Sequence, residues 1–332
     1  MAAPVYLASR GSALALAQAN LVLAQCRAAF PDGVFELRII KTTGDRLQTA
    51  SLASGELPKG LFTKELEVAL GNGEADLAVH SLKDLPTELP PGLKLGAVCR
   101  RADVRDVLIY RDVEHWGVAA AMHPPVPKSR RAFRPHLSIS SLPHGAVVGT
   151  SSTRRTAQLL ERRPDLRVLP LRGNVGTRLR KLVEQPELDA ILLAAAGLDR
   201  LGITHGPAGL LTGSDVPEGL AMSRLPVSEM LPCVGQAAIG LEVRAGDARA
   251  EALCARLNDP ETLACVTAER AFLSAMGGGC HLAVAAYAQI NEGELRLQAL
   301  SYLSGRARRT EGRAPVTAAE TLGRELAKKL LT

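Results

Sequence analysis

The chain has 332 residues, with 40 Lys+Arg against 34 Asp+Glu, a formal net charge of +6, and 46% hydrophobic and 22% charged residues. That length allows two or three domains with substantial cores, and the composition excludes a collagen-like, wholly disordered or membrane-embedded chain. Five Phe, four Tyr and one Trp offer few stacking platforms, so the excess of cations points to small acidic ligands rather than to nucleic acid.

In chain order the patterning predicts a strand over 5–8, a helix from Ala13, a strand over 36–42, a helix over 64–70 and a strand over 76–80. This alternation is that of an α/β domain with a mostly parallel sheet. The apolar stretch from Ala13 to Ala24 is interrupted by Gln18 and Asn20, and no basic segment precedes it, so it reads as an amphipathic helix rather than a signal peptide. Gly71-Asn72-Gly73 ends the second helix. Residues 43–59 lack a clear period and are long for a connection, which suggests a lid.

Residues 114–143 turn rich in Pro, His, Arg and Ser and read as an irregular insertion. A second α/β rhythm follows, with strand 146–149, helix 152–163, strand 166–171, helix 175–183 and strand 190–194. Two similar α/β lobes with a cleft between them are expected. The last part carries a helix over 260–275, the run Gly277-Gly278-Gly279, strands near 282–287 and 294–301, and a helix over 318–331, the pattern of a small α+β domain. The longest later apolar run, 190–198, is well short of the roughly 20 residues that span a bilayer. The expectation is a cytoplasmic protein with no membrane contact.

Cysteines at 26, 99, 233, 254, 265 and 280 form no CxxC pair, and no two histidines stand at i, i+4, so neither a disulfide framework nor a metal site is expected. Cations instead gather where strands hand over to helices. Thr150-Ser151-Ser152-Thr153-Arg154-Arg155 places hydroxyls, free backbone N–H groups and two guanidiniums at a helix start, an arrangement suited to an anion. Taken alone, it is equally well a plain N-cap with solvent-facing arginines. Arg172-Gly173-Asn174-Val175-Gly176-Thr177-Arg178 and Arg10-Gly11-Ser12 repeat the arrangement, and arginine's planar fork suits carboxylates. None is a dinucleotide or phosphate-loop motif.

His80-Ser81-Leu82-Lys83-Asp84 closes an apolar strand. Its carboxylate is suited to passing a proton or steadying a developing cation, although a surface Lys-Asp pair is the commoner meaning of such neighbours. Cys280 after three glycines is either an exposed reactive thiol or a small buried hydrophobe.

These segments, in order, resemble the porphobilinogen deaminase (hydroxymethylbilane synthase) family. The resemblance runs through Leu7-Ala8-Ser9-Arg10, Lys59-Gly60-Leu61-Phe62-Thr63-Lys64-Glu65-Leu66-Glu67, His80-Ser81-Leu82-Lys83-Asp84-Leu85-Pro86, Val148-Gly149-Thr150-Ser151-Ser152, Leu171-Arg172-Gly173-Asn174, Ala194-Ala195-Ala196-Gly197-Leu198, Ala268-Glu269-Arg270-Ala271-Phe272 and Gly278-Gly279-Cys280.

It implies two periplasmic-binding-protein-like lobes with a small α+β C-terminal domain: residues 1–100 with 238–256, then 101–237, then 257–332. It also implies a transferase of tetrapyrrole biosynthesis. Four porphobilinogen molecules condense head to tail on a covalent dipyrromethane primer, ammonia leaves at each step, and hydrolysis frees hydroxymethylbilane. Cys280 matches the attachment cysteine and Asp84 the catalytic carboxylate. Ser81, Lys83, Asp84, Thr150, Ser152, Arg154, Arg155, Arg172 and Gly173 match cofactor contacts. Arg10, Ser12, Gln18, Arg155, Arg172, Arg178 and Arg200 match substrate contacts, and Lys59 and Phe62 belong to the lid. No metal is implied. The family expectation is a cytoplasmic monomer whose product passes to uroporphyrinogen-III synthase.

The chain departs from the family pattern in places. Ser54-Gly55-Glu56 stands where a second lid lysine is frequent, Gln236-Ala237-Ala238 replaces Gln-Gly-Ala, His281 follows the cysteine, and the final segment to Thr332 is compressed. The rival reading from the residues is a non-catalytic two-lobed polyanion-binding protein, which would use the same arginines but give Asp84 and Cys280 no purpose.

Overall fold

The computed structural model describes residues 3–43, 63–122, 131–279 and 282–332. They fall into two compact units, Met1–Ala102 with Cys233–Ser301 and Arg308–Thr332, and Asp103–Pro232 with Tyr302–Ala307.

In the first unit, β1 (Val5–Arg10), β2 (Phe35–Ile40), β3 (Leu77–Ser81), β4 (Leu93–Val98) and β12 (Ile239–Arg244) form one sheet in the order β2-β1-β3-β12-β4. β1 is parallel to β2 and β3, whereas β12 runs antiparallel to both β3 and β4. In the second unit, β5 (Asp106–Arg111), β6 (Val147–Gly149), β7 (Arg167–Leu169), β8 (Ala190–Ala194) and β11 (Leu220–Arg224) take the order β11-β5-β8-β6-β7. A short hairpin of β9 (Thr204–His205) and β10 (Leu211–Thr212) accompanies them. Again four strands share one direction, and the fifth, β5, is antiparallel to its neighbours β8 and β11.

The two sheets are thus built to one plan. The inserted antiparallel strand of the first, β12, is laid down when the chain returns from the second unit, and its counterpart β5 when the chain arrives there. The sheets are mostly parallel, as expected, with the one reversed strand in each, β12 and β5, not foreseen. Each inserted strand is a short apolar run whose partners lie far away in sequence, so local patterning carries no sign of its direction.

Helices cover the sheets by their apolar faces. In the first unit, α1 (Ala13–Ala29) and, later in the chain, α7 (Ala248–Leu257) close a core of Leu7, Val22, Leu77, Leu241 and Val243, while α2 (Lys64–Gly71) closes the other side on Ala8 and Ala78. In the second unit α5 (Val175–Glu184) and α4 (Thr153–Arg162) cover opposite faces, with Leu179 and Leu159 in their respective cores.

The rest of the first unit is a meander of β13 (Val284–Asn291), β14 (Glu294–Ser301) and β15 (Arg308–Pro315), packed by α8 (Pro260–Ala275) and α9 (Ala319–Leu331) through Phe272, Leu297 and Leu326. β15, with its polar sequence, is an edge strand that patterning does not reveal.

The insertion expected to be irregular over 114–143 begins instead as a helix, α3 (Val113–Met122). Asp112 Oδ2 accepts from the amides of Glu114 (3.0 Å) and His115 (3.1 Å), which starts the helix. The Pro-rich residues that suggested irregularity lie downstream, and 123–130 fall outside the described residues.

Where the second unit hands back to the first, Ala237 sits buried at φ +70°, a conformation that costs a Cβ-bearing residue. Ala237→Gly is expected to raise stability by about 0.5–1 kcal/mol after allowing for glycine's greater unfolded freedom. The check is a higher urea midpoint at unchanged slope.

Candidate functional site

Because β1 and β3 are parallel neighbours, the turns at their C-terminal ends stand side by side at one sheet edge, where open α/β sheets bind ligands. Arg10 ends β1. Ser12 caps α1, its hydroxyl accepting from Ala15 N at 3.3 Å. Ser81 ends β3 and leads into the single turn Leu82–Asp84, anchored by buried Leu82. Buried Gln18 donates from Nε2 to Ser81 Oγ at 2.8 Å. Arg10, Ser12, Gln18, Ser81 and Asp84 line one concave pocket together with Thr63 and His80. Asp84 is exposed, and half-buried Lys83 shares its turn.

Beneath this pocket His80 Nε2 lies 3.0 Å from Glu242 Oε2, with both side chains buried. Burial, and the nearby charge of Glu242, push the Glu67 carboxyl above its ordinary value. Glu242 was not marked by the sequence, since it stands singly in an ordinary strand, and Glu67 entered only as part of the motif over 59–67 with no role given to it.

α8 runs out at Ala275 into glycines 277, 278 and 279, all at positive φ (103°, 65° and 101°). This run passes close to the segment that follows the Asp84 turn: a Cβ added at Gly278 would lie 3.3 Å from Thr87 Oγ1. Cys280, Lys59 and Phe62 lie outside the described residues.

In the second unit the same rule operates. β6 and β7 are parallel, and Thr150 N donates to Leu169 O at 2.9 Å, so the turns leading into α4 and α5 share one edge. Ser152 caps α4 by accepting from Arg155 N (3.4 Å), and Asn174 caps α5 by accepting from Thr177 N (2.8 Å). Thr150 is buried, and Arg172 is exposed. Arg178 Nε donates to Gly173 O at 2.7 Å. Arg200 closes α6 (Ala195–Arg200), which follows β8.

Arg154 and Arg155 are not solvent-facing. Their guanidiniums turn inward onto Asp106, with Arg154 Nη1 at 2.8 Å from Oδ2 and Arg155 Nη2 at 2.7 Å from Oδ1. Burial alone would raise the Asp106 carboxyl, but the two guanidinium charges and their hydrogen bonds outweigh it and hold the group well below its ordinary value. Asp106 was not singled out in the sequence, although an acidic residue opening the apolar run Val107-Leu108-Ile109-Tyr110 is a legible sign of a buried counter-ion.

This donor set fits a carboxylate-rich group. The trio of two arginines and one aspartate leaves one net positive charge at a helix N-terminus. Arg155 Nε is a buried donor with no hydrogen-bond partner among the described residues. Gly173 sits at φ +120°, and a Cβ there would fall 2.7 Å from Thr177 Cγ2, so this backbone stays bare at the turn.

Two α/β units of one plan, each with cations and helix starts at a sheet edge and one of them with an exposed carboxylate beside its cation, define a protein that binds small polyanions and is equipped to act on them. The match to known proteins is specific. Residues 5–252 match "Porphobilinogen deaminase, dipyromethane cofactor binding domain", and residues 263–332 match "Porphobilinogen deaminase, C-terminal domain". Proteins named porphobilinogen deaminase from Chromobacterium violaceum, Desulforudis audaxviator and Thiobacillus denitrificans are 43%, 44% and 43% identical, each over 98% of this chain and 94% of the relative. Among solved structures, full-length OxyR C199D from Pseudomonas aeruginosa aligns at a TM-score of 0.40 and 13% identity over 77% of this chain and 70% of that one, a likeness too distant to bear on the site.

The chain belongs to the porphobilinogen deaminase family. It is a transferase of tetrapyrrole biosynthesis that condenses porphobilinogen on a dipyrromethane cofactor. The non-catalytic polyanion-binding reading is not supported. Among the described residues no helix is long and apolar enough to cross a membrane.

Asp106→Asn is expected to cost about 3–5 kcal/mol at neutral pH, because it leaves two buried guanidiniums without their counter-charge. The depressed carboxyl contributes stability fully above its ordinary 3.8 and loses it as pH falls from there toward the folded value. Urea titrations should therefore show the gap between wild type and variant closing below that pH; a gap independent of pH would contradict the assignment.

Proposed function

We propose that Asp84 is the catalytic carboxylate of this condensation and that Cys280 carries the dipyrromethane by a thioether. The observation that supports this reading most directly is the nearness of Gly278, two residues before Cys280 in the sequence, to Thr87, three residues after Asp84: a Cβ added at Gly278 would lie 3.3 Å from Thr87 Oγ1. When bound, the cofactor supplies a nucleophilic pyrrole carbon, so that the chain grows from a fixed anchor.

The protein's own groups do the rest. Each porphobilinogen brings two carboxylates, and the growing chain gathers negative charge. Arg10, Arg172, Arg178 and Arg200 bind those groups, with Ser12, Gln18, Ser81, Lys83, Thr150, Ser152 and the Gly173 backbone as polar contacts. Arg154 and Arg155, fixed on Asp106, supply a preorganised positive field and the free Nε donor of Arg155. Loss of ammonia from porphobilinogen leaves a cation on the ring system. A carboxylate at Asp84 steadies that charge as it develops and takes up the proton released when the new bond is made.

The same reading divides the chain into domains of 1–100 with 238–256, 101–237 and 257–332, with Lys59 and Phe62 in a lid. It places a monomer in the cytoplasm, handing its product to uroporphyrinogen-III synthase.

Intact mass under denaturing conditions tests the attachment. Wild type should carry an adduct of two linked porphobilinogen-derived units, and Cys280→Ser should not; wild type without adduct after incubation with porphobilinogen would remove Cys280 from this role. Asp84→Asn should keep fold and adduct while losing at least about 10²-fold in turnover. Near-normal product formation in that variant would exclude Asp84 as the catalytic group. Arg172→Ala should slow cofactor assembly or chain elongation, read as a shift in the ladder of enzyme-bound intermediates.

A further inference from the structure

We propose that Arg270 is a positioning residue for the condensation, holding the turn after Asp84 in the frame of α8. This rests on the reading of Asp84 as the catalytic carboxylate. The Arg270 guanidinium donates to three successive backbone carbonyls: Nη1 to Leu85 O at 3.1 Å, and Nη2 to Pro86 O at 2.6 Å and Thr87 O at 3.3 Å. These are the carbonyls that immediately follow Asp84.

The start of the turn is anchored by buried Leu82 and Leu85 and by Leu82 N donating to Ala238 O at 3.0 Å, and the Arg270 bonds hold the carbonyls that follow. Pro86 has no N–H to give, and the backbone bond within the turn, Leu85 N to Leu82 O, is long at 3.2 Å. The arrangement is also costly as packing. Burial pulls the Arg270 guanidinium down to about 10, with only the charge of Glu242 opposing. A half-buried cation satisfied by carbonyls is a poor filler, and an apolar side chain of the same length would serve a purely structural contact at lower cost. What the planar fork offers instead is a fixed angle between helix and turn.

Beyond the C-terminal end of the same helix the glycine run passes beside this segment, since a Cβ added at Gly278 would lie 3.3 Å from Thr87 Oγ1. Arg270 is the group that holds the 85–87 carbonyls to α8. The consequence is kinetic. Asp84 has to meet a reacting centre at each condensation while the loop stem stays put, and misplacement by about 1 Å can cost on the order of 10²-fold in rate.

The test uses holoenzyme of Arg270→Met and Arg270→Lys, with Asp84→Asn alongside. Four quantities are read: adduct by denaturing intact mass, amide hydrogen exchange at Leu85 and Thr87, kcat and KM for porphobilinogen, and rescue by added guanidinium. Arg270→Met is expected to keep its adduct, to exchange faster at Leu85 and Thr87, and to lose about tenfold or more in kcat with KM nearly unchanged, partly restored by guanidinium. Arg270→Lys should fall between it and wild type. Unchanged exchange or unchanged kcat in the loaded variant overturns the proposal, as does a loss of kcat that tracks loss of adduct one for one. Should Arg270→Met not fold, Arg270→Lys carries the same readouts, and normal exchange at Leu85 and Thr87 with normal kcat there overturns it. Normal turnover in Asp84→Asn would instead sink the underlying catalytic reading, and the exchange data would still report whether Arg270 holds the turn.

Discussion

The buried carboxylate of Glu269 is the point from which the first unit is organised. Its oxygens accept from Arg101 Nη1 at 2.6 Å and Nη2 at 3.0 Å, from Gly235 N at 2.8 Å and from Ala288 N at 2.8 Å. Arg101 adds a bond from Nε to Gln236 O and stands over the Tyr287 ring. Four stretches far apart in sequence, the exit from β4, the return into β12, helix α8 and strand β13, are thus tied to one fully buried group. A charge so placed is tolerable only when every one of these donors is present, so the segments are ordered together or not at all.

That constraint sets up the site. α8, pinned at Glu269, carries Arg270 one residue on and ends in the glycine run beside Thr87. The turn bearing Asp84 is thereby referred to the same frame as the loop stem leading to Cys280. Below it, the His80 and Glu242 pair stiffens the end of β3 from within the sheet. The placement of the Asp84 turn thus derives from buried polar groups around it.

The second unit holds its buried charges by the same economy. Parallel strands deliver helix starts to one edge, and Asp106 holds Arg154 and Arg155 in place there. Without a counter-ion, two adjacent buried guanidiniums would repel each other and seek solvent. With it, they form a fixed field of one net positive charge.

Much of this was legible in the chain itself. The α/β alternation, the helices starting at Ala13, Lys64, Val175 and Pro260, the cationic strand ends and the glycines before Cys280 are all local, because periodicity, capping chemistry and residue type act over a few neighbours. The ordered motifs sufficed to place the chain in its family. Only the tertiary structure decided the rest. β5 and β12 take their direction from partners many residues away, and the helix at 113–122 formed where composition suggested an irregular insertion. Asp106 became the partner of Arg154 and Arg155, Glu269 gathered four segments, and Arg270 found the carbonyls after Asp84. Each of these depends on which distant groups are buried together, and the free energy of a buried charge is settled by its neighbours in space rather than in sequence.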